Sequence, residues 1–192
     1  MFIVFEGIDG SGKSSVISRL KDNLESYGKK VIVTAEPSRS DIGNYVLRTR
    51  GLNPKTEALL FTADRSEHTE QILDWIRGGY IVICDRYIGS TLAYQSAAGM
   101  NINWLKDINS GVAIIPDVTI LMDIDPEISL RRVNARGERT RFEKLNYLKK
   151  VRNAYLSIAK EFNFRVVNAD RDRDTVANEV KNIVWEVLRA PV

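Results

Sequence analysis

The sequence predicts an α/β fold: a five-stranded parallel sheet flanked by helices. Two observations carry that expectation. Short β-rich apolar runs alternate with longer segments of helical period along the 192 residues, the pattern of strand–helix–strand units with right-handed crossovers. The polar residues with chemical capacity stand directly behind those runs, where such sheets bind ligands.

The runs are FIVFE (2–6), KVIVTAE (30–36), YIVICD (80–85), VTILMDI (118–124) and FRVVNA (164–169). Each is apolar with little alternation, as expected of strands covered on both faces. Between them lie helical stripes. Val16, Leu20, Leu24 and Tyr27 form the first, ended by Gly28. LLFTADRSEH (59–68) reads as helix. Phe142, Leu145, Leu148, Val151, Tyr155, Ile158 and Phe162 recur at spacings of three and four, and Val176, Val180, Ile183 and Val187 form the last stripe. All three stripes are expected to be core faces. No linker, repeat or low-complexity tract divides the chain, so residues 1–192 read as a single domain.

Hydrophobic residues make up 44% and charged residues 28%, ordinary values for a soluble globular protein. A net charge of +3 suits anionic small molecules and is too weak to argue for a nucleic-acid partner. The single cysteine, Cys84, allows no disulfide within the chain and suits a reducing, cytoplasmic setting. The start MFIVFEG lacks the features of a signal peptide. No apolar run approaches the roughly 20 residues of a membrane span, so no membrane partner is expected.

GIDGSGKS (7–14) fits G-x-x-x-x-G-K-[ST] with strand before it and helix after it. Gly7, Gly10 and Gly12 let backbone N–H groups turn inward around a phosphate chain. The following helix aims its positive end at the same place. Ile8, Asp9, Ser11 and Ser15 complete the expected ATP-binding segment. Lys13, read as an exposed loop lysine, is expected to reach the β- and γ-phosphates, and the Ser14 hydroxyl to ligate Mg²⁺. The bland alternative is a glycine-rich turn with an ordinary helix cap. Motif and context together favour nucleotide binding.

Asp85-Arg86-Tyr87 follows the third run. An Asp there can hold Mg²⁺ or its waters, and the Arg can grip a second phosphate through two bonds. The alternative is an ion pair closing a strand. Phe61 and Arg65 are four apart, so they share a helix face. A ring and a guanidinium so placed can hold a base, but spacing alone favours Phe61 in the core and Arg65 snorkelling. RRVNARGERTR (131–141) holds five arginines and no lysine. Lacking aromatics for base stacking, it fits a lid over transferring phosphates better than an RNA patch or a solvated helix face. His68, the only histidine, reads as structural on a polar helix face. Ser90 and Thr91 have no general base that the sequence identifies.

From these motifs the chain resembles the thymidylate kinases nearly end to end. FEGIDGSGKSS resembles that family's P-loop, Glu36-Pro37 its second-strand motif, LLFTADRSEH its base-binding helix, and DRYIGSTLAYQ (85–95) its acceptor segment. The resemblance implies a P-loop nucleoside monophosphate kinase fold, with Asp9 near the sugar of dTMP. It implies Phe61 stacked on thymine, Arg65 against the base, and Arg86 on the monophosphate. Ser90, Tyr94 and Gln95 would line the thymidine pocket, Glu36 and Pro37 would join them in binding dTMP, and Arg48 would contact phosphate. It further implies a lid at about 132–143 with Arg136 and Arg141 catalytic, Arg139 an extra candidate, and a homodimer. The chain departs from the family pattern at Ala35, Arg139 and Thr140. Gly10 stands where some members carry a P-loop arginine, so lid arginines are expected to supply that charge. The activity so implied is Mg²⁺-dependent transfer of the γ-phosphoryl group from ATP to dTMP. A deoxynucleoside kinase, with Glu36 as base, and a non-enzymatic P-loop module are the alternatives.

Overall fold

Five strands run parallel in one sheet in the computed structural model, which describes residues 1–49, 51–134 and 142–189. They are β1 (Phe2–Glu6), β2 (Val31–Ala35), β3 (Ile81–Asp85), β4 (Val118–Asp123) and β5 (Arg165–Asn168), in the order β2-β3-β1-β4-β5. The helices are α1 (Lys13–Ser26), α2 (Asp41–Arg48), α3 (Pro54–Arg77), α4 (Ile88–Ala97), α5 (Ile102–Asn109), α6 (Pro126–Asn134), α7 (Phe142–Glu161) and α8 (Arg173–Arg189). The sequence leaves α2, α4, α5 and α6 unmarked. None exceeds ten residues, under three turns, too short for a stripe to repeat. Among the described residues no helix is long and apolar enough to cross a membrane.

The central strands match the expectation. Ile3 and Phe5 of β1 pack into the larger core cluster, while Phe2 and Val4 enter the smaller one on the opposite face. The outer strands correct it. β2 and β5 are the sheet edges, with Val33 44% and Val166 46% exposed. Their apolar runs look like central strands because Val and Ile suit a pleated backbone at an edge as well. Val16, Leu20 and Leu24 are buried as expected. Tyr27 and Phe162 are not core residues: each lies one position past its helix end and is largely exposed.

Strand register positions the functional residues. Ala35 of β2 and Phe5 of β1 both pair with Asp85 of β3. The Glu36 amide donates to the Asp85 carbonyl (3.1 Å), and the Arg86 amide to the Phe5 carbonyl (2.8 Å). Glu36, Arg86 and Glu6 therefore leave three adjacent strands side by side. They do so where the strand order reverses, the place at which parallel sheets open a crevice.

Candidate active site

The loop from Gly7 to Gly12 joins β1 to α1. Its three glycines take left-handed φ values of 139°, 78° and 90°. α1 begins at Lys13 with no side-chain cap and no acidic residue in its first turn, so its positive end is not cancelled locally. Ser129 Oγ donates to the Asp9 carbonyl at 2.5 Å and ties the loop to α6. A Cβ at Gly10 would lie 2.7 Å from the Ser129 carbonyl oxygen. Gly10 thus has neither the φ nor the space for an arginine.

Lys13 is buried, which corrects the expectation of an exposed lysine. Its Nζ donates to the Gly7 carbonyl (3.0 Å) and lies 3.7 Å from Asp85 Oδ1. Burial, aided by the Arg86 charge and opposed by Asp85, lowers its pKa to about 8. Asp85 Oδ1 is a buried acceptor with no hydrogen-bond partner. Ser14 and Ser15 are exposed in the first turn of α1.

Beside this loop lies a cleft of about 480 Å³. Asp9, Glu36, Pro37, Phe61, Arg65, Arg86, Ser90, Tyr94 and Gln95, all expected acceptor residues, line it. Phe61 is a half-buried wall residue rather than core. Arg48 does not line the cleft. It ends α2 in solvent, and its neighbours Val46, Leu47 and Thr49 face the cleft instead.

Arg65 is 2% exposed, and four of its five N–H groups donate to neighbouring side chains. Its Nε and Nη2 donate to Glu36 Oε2 (2.9 and 2.6 Å), Nη2 also to Thr91 Oγ1 (3.0 Å), and Nη1 to Asn109 Oδ1 (2.5 Å). His68 Nδ1 lies 3.2 Å from Glu36 Oε1, and its Nε2 2.7 Å from Thr34 Oγ1. His68 is therefore structural as expected, but it is buried rather than on a polar face. Glu36, with one oxygen held twice by Arg65, is not placed to abstract a proton from an acceptor hydroxyl. The deoxynucleoside kinase alternative, which needs Glu36 as that base, is not favoured.

Arg86 is held differently. Its backbone is left-handed (φ 72°) and its guanidinium lies over the Tyr94 ring at 5.3 Å. Nη1 donates to Ser90 Oγ (3.2 Å) and to the Tyr155 hydroxyl (3.4 Å), and Nη2 to Asp9 Oδ1 (2.6 Å). Behind the two hydroxyls sits Glu6, 0% exposed. Its Oε1 accepts the Tyr87 and Ser90 amides (2.9 Å each), and its Oε2 accepts Ser90 Oγ (2.6 Å) and the Tyr155 hydroxyl (3.0 Å). Glu6 thereby caps α4, which has no side-chain cap of its own. A Cβ at Gly89 would lie 2.7 Å from Glu6 Oε1, so glycine is required there by the close approach. Burial raises the Glu6 pKa, against hydrogen bonds from Ser90, Tyr155 and Tyr87 and the attraction of Arg86.

Sequence reasoning missed Glu6, Asn109 and Tyr155. Glu6 reads as a polar strand end, and Tyr155 as one member of an apolar stripe. Asn109 stands in an unmarked helix. It also missed Glu57, whose Oε2 accepts from Gln95 Nε2 at 2.9 Å. Of the expected lid, Arg136, Arg139, Thr140 and Arg141 lie outside the described residues.

The thymidylate kinase family model matches residues 5–180. The chain is 43% identical to a probable thymidylate kinase of Pyrobaculum aerophilum over 193 aligned positions, covering 98% of each protein. It is 40% identical to the probable thymidylate kinase of Archaeoglobus fulgidus, covering 98% of this chain and 96% of that protein. A similar protein of Pyrococcus horikoshii, also named probable thymidylate kinase, is 41% identical and covered over 97% on both sides.

Proposed function

The chain belongs to the thymidylate kinase family, and from that premise we propose how its residues perform the family's reaction. The protein is a phosphotransferase of the P-loop nucleoside monophosphate kinase fold. It moves the γ-phosphoryl group of ATP to dTMP, giving dTDP and ADP. One observation carries the assignment of residues: nine expected acceptor side chains line a single cleft that begins at Asp9 of the phosphate loop.

The acceptor phosphate is already an anionic nucleophile, so the enzyme needs alignment and charge neutralisation rather than a general base. The Gly7–Ser15 segment cradles the ATP phosphates, and Lys13 swings from the Gly7 carbonyl to the β- and γ-phosphates. Arg86 grips the dTMP phosphate in line with the donor. Phe61 stacks on thymine, while Arg65, Tyr94 and Gln95 bound the nucleoside. Arg136, Arg141 and, to a lesser extent, Arg139 neutralise the equatorial oxygens from the lid.

The residues present fit Mg²⁺. Asp85 Oδ1, which accepts no hydrogen bond and lies 3.7 Å from Lys13 Nζ, and the exposed Ser14 hydroxyl supply oxygen ligands at the phosphate end. Mg²⁺ characteristically takes one or two protein oxygens and completes its shell with phosphates and water. Bound there, it would neutralise the phosphate oxygens. The protein works in the cytoplasm as a homodimer. The exposed Tyr45 of α2 and Leu59 of α3 are apolar side chains open to a second copy, and sedimentation tests that.

The deciding experiment incubates the protein with ATP, Mg²⁺ and one acceptor at a time: dTMP, dUMP, dCMP, dGMP, AMP or thymidine. dTDP should form fastest. Faster phosphorylation of AMP or thymidine overturns the reading.

A further inference from the structure

Glu6 poses a physical problem. A carboxylate with no solvent exposure costs several kcal/mol to bury unless its oxygens are satisfied and a cation lies near. Arg86 is that cation, yet the two do not pair directly. Two hydroxyls, from Ser90 on α4 and Tyr155 on α7, stand between them. Ser90 Oγ is 2.6 Å and the Tyr155 hydroxyl 3.0 Å from Glu6 Oε2, the hydroxyls are 2.7 Å apart, and both accept from Arg86 Nη1. A direct fork-on-carboxylate pair would occupy two guanidinium edges and cancel the charge. The hydroxyl bridge instead fixes one edge of Arg86 from behind. It leaves Nη2 directed to Asp9 at the cleft.

The same carboxylate anchors the backbone that carries these groups. Glu6 Oε1 holds the Tyr87 and Ser90 amides, setting the start of α4 immediately after Arg86. Glu6 thus acts on Arg86 twice: through the main chain that follows it, and through the hydroxyls that hold its side chain. Tyr155 brings in α7, so the grip joins residues 6, 90 and 155 from three elements to Arg86 in the loop between β3 and α4.

We propose that Glu6 and Tyr155 are positioning residues for the acceptor phosphate, acting through Arg86 and not touching substrate themselves. The proposal rests on dTMP being the acceptor. Its signature is selective: binding of the phosphate suffers, and binding of the nucleoside does not.

The test compares wild type with Tyr155→Phe and Glu6→Gln. Three quantities are measured: KM for dTMP, KM for ATP, and the inhibition constant of thymidine, which carries the same base and sugar without the phosphate. Both variants should raise KM for dTMP by about tenfold or more, the scale of one lost charge-assisted contact. KM for ATP and the thymidine constant should stay within about twofold, below 0.5 kcal/mol at roughly 1.4 kcal/mol per tenfold. A variant that merely lowers the folded fraction reduces kcat and leaves all three constants unchanged, which overturns the proposal. Parallel weakening of thymidine also overturns it, by moving the effect to the nucleoside pocket. If Glu6→Gln does not fold, Tyr155→Phe decides alone, because it deletes one hydroxyl and keeps the ring. Failure of wild type to use dTMP would instead sink the functional reading.

Discussion

Arg65 and Arg86 line the same cleft, and the protein treats their charges in opposite ways. Arg65 meets the carboxylate of Glu36 head-on, with Asn109 and Thr91 taking further N–H groups. Its charge is matched inside the protein. Arg86 has its buried carboxylate set back behind two hydroxyls, and the carboxylate it meets directly, Asp9 at 2.6 Å, is 76% exposed at the cleft, where solvent screens the pair and a phosphate can compete for the guanidinium. The two halves of a nucleotide call for this difference. A base is neutral and is read by fixed, directed donors, which an immobilised guanidinium supplies. A phosphate is an anion and needs a cation whose charge is still available. One residue type serves both ends because the neighbours decide how much of its charge reaches the ligand.

The comparison breaks most sharply at Arg86. Arg86→Met should lower kcat/KM for dTMP by about 10³–10⁵, or roughly 4–7 kcal/mol, taking an arginine aimed at transferring phosphates as the guide. Arg86→Lys should recover only part, since it restores charge without the fork. Steady-state kinetics check both. A loss below about tenfold would mean that Arg86 does not direct its charge to the phosphate.

Arg65 should fail in stability rather than in chemistry. Arg65→Met leaves Glu36 buried without its cation, which should cost about 3–5 kcal/mol of folding stability. Adding Glu36→Gln should recover more than half of that, because the stranded charge is gone. Denaturant titration of both variants measures the difference. Equal destabilisation of single and double variants would mean that packing, not charge matching, sets the cost.

These two sites also divide what the sequence makes legible. The phosphate loop is contiguous, so Gly7 to Ser14 can be read from spacing alone, and α1 begins at Lys13 as that spacing requires. Phe61, Tyr94 and Gln95 are legible by resemblance and do line the cleft. The supports are not legible. Glu6 and Tyr155 are 149 positions apart, and Arg65 and Asn109 are 44 apart. Only strand order and helix packing bring them together. Even burial follows this rule. Lys13 reads as exposed because its loop is polar, yet Gly7 and Asp85 fold around it. Tyr27 reads as core because a stripe does not announce where its helix stops.

Lys13 sharpens the comparison as a third cation, one whose charge burial partly suppresses. Its pKa is about 8 in the folded protein against an ordinary 10.5. Between those values the unfolded chain binds the proton more tightly, so this contribution to stability rises with pH from about 8 to 10.5. Below about 8 the charged form costs on the order of 3 kcal/mol. Lys13→Met should therefore raise the stability of the nucleotide-free protein at pH 7. It should also flatten the rise above pH 8. Catalysis should move the other way: kcat/KM for ATP in wild type should decline as pH passes about 8. Thermal melts and a pH–rate series on the same variant test the two signs together.

The smallest effect belongs to Phe61, and it separates base from phosphate most cleanly. Phe61 precedes Arg65 by one helical turn on α3 and forms a half-buried wall of the cleft. Losing base stacking should weaken dTMP binding by about 1–3 kcal/mol in Phe61→Ala. Because one side of the ring faces the cleft, the stability loss should fall short of the roughly 3–5 kcal/mol of a core phenylalanine. Calorimetric titration of dTMP and a thermal melt distinguish the two. A second ligand completes the test: 2-deoxyribose 5-phosphate has the sugar and phosphate but no base. Phe61→Ala should bind it as wild type does, whereas Arg86→Met should lose affinity for it and for dTMP alike. If Phe61→Ala weakens both ligands equally, the ring shapes the cleft as a whole, and the division of the cleft into a neutral base end and a charged phosphate end does not hold.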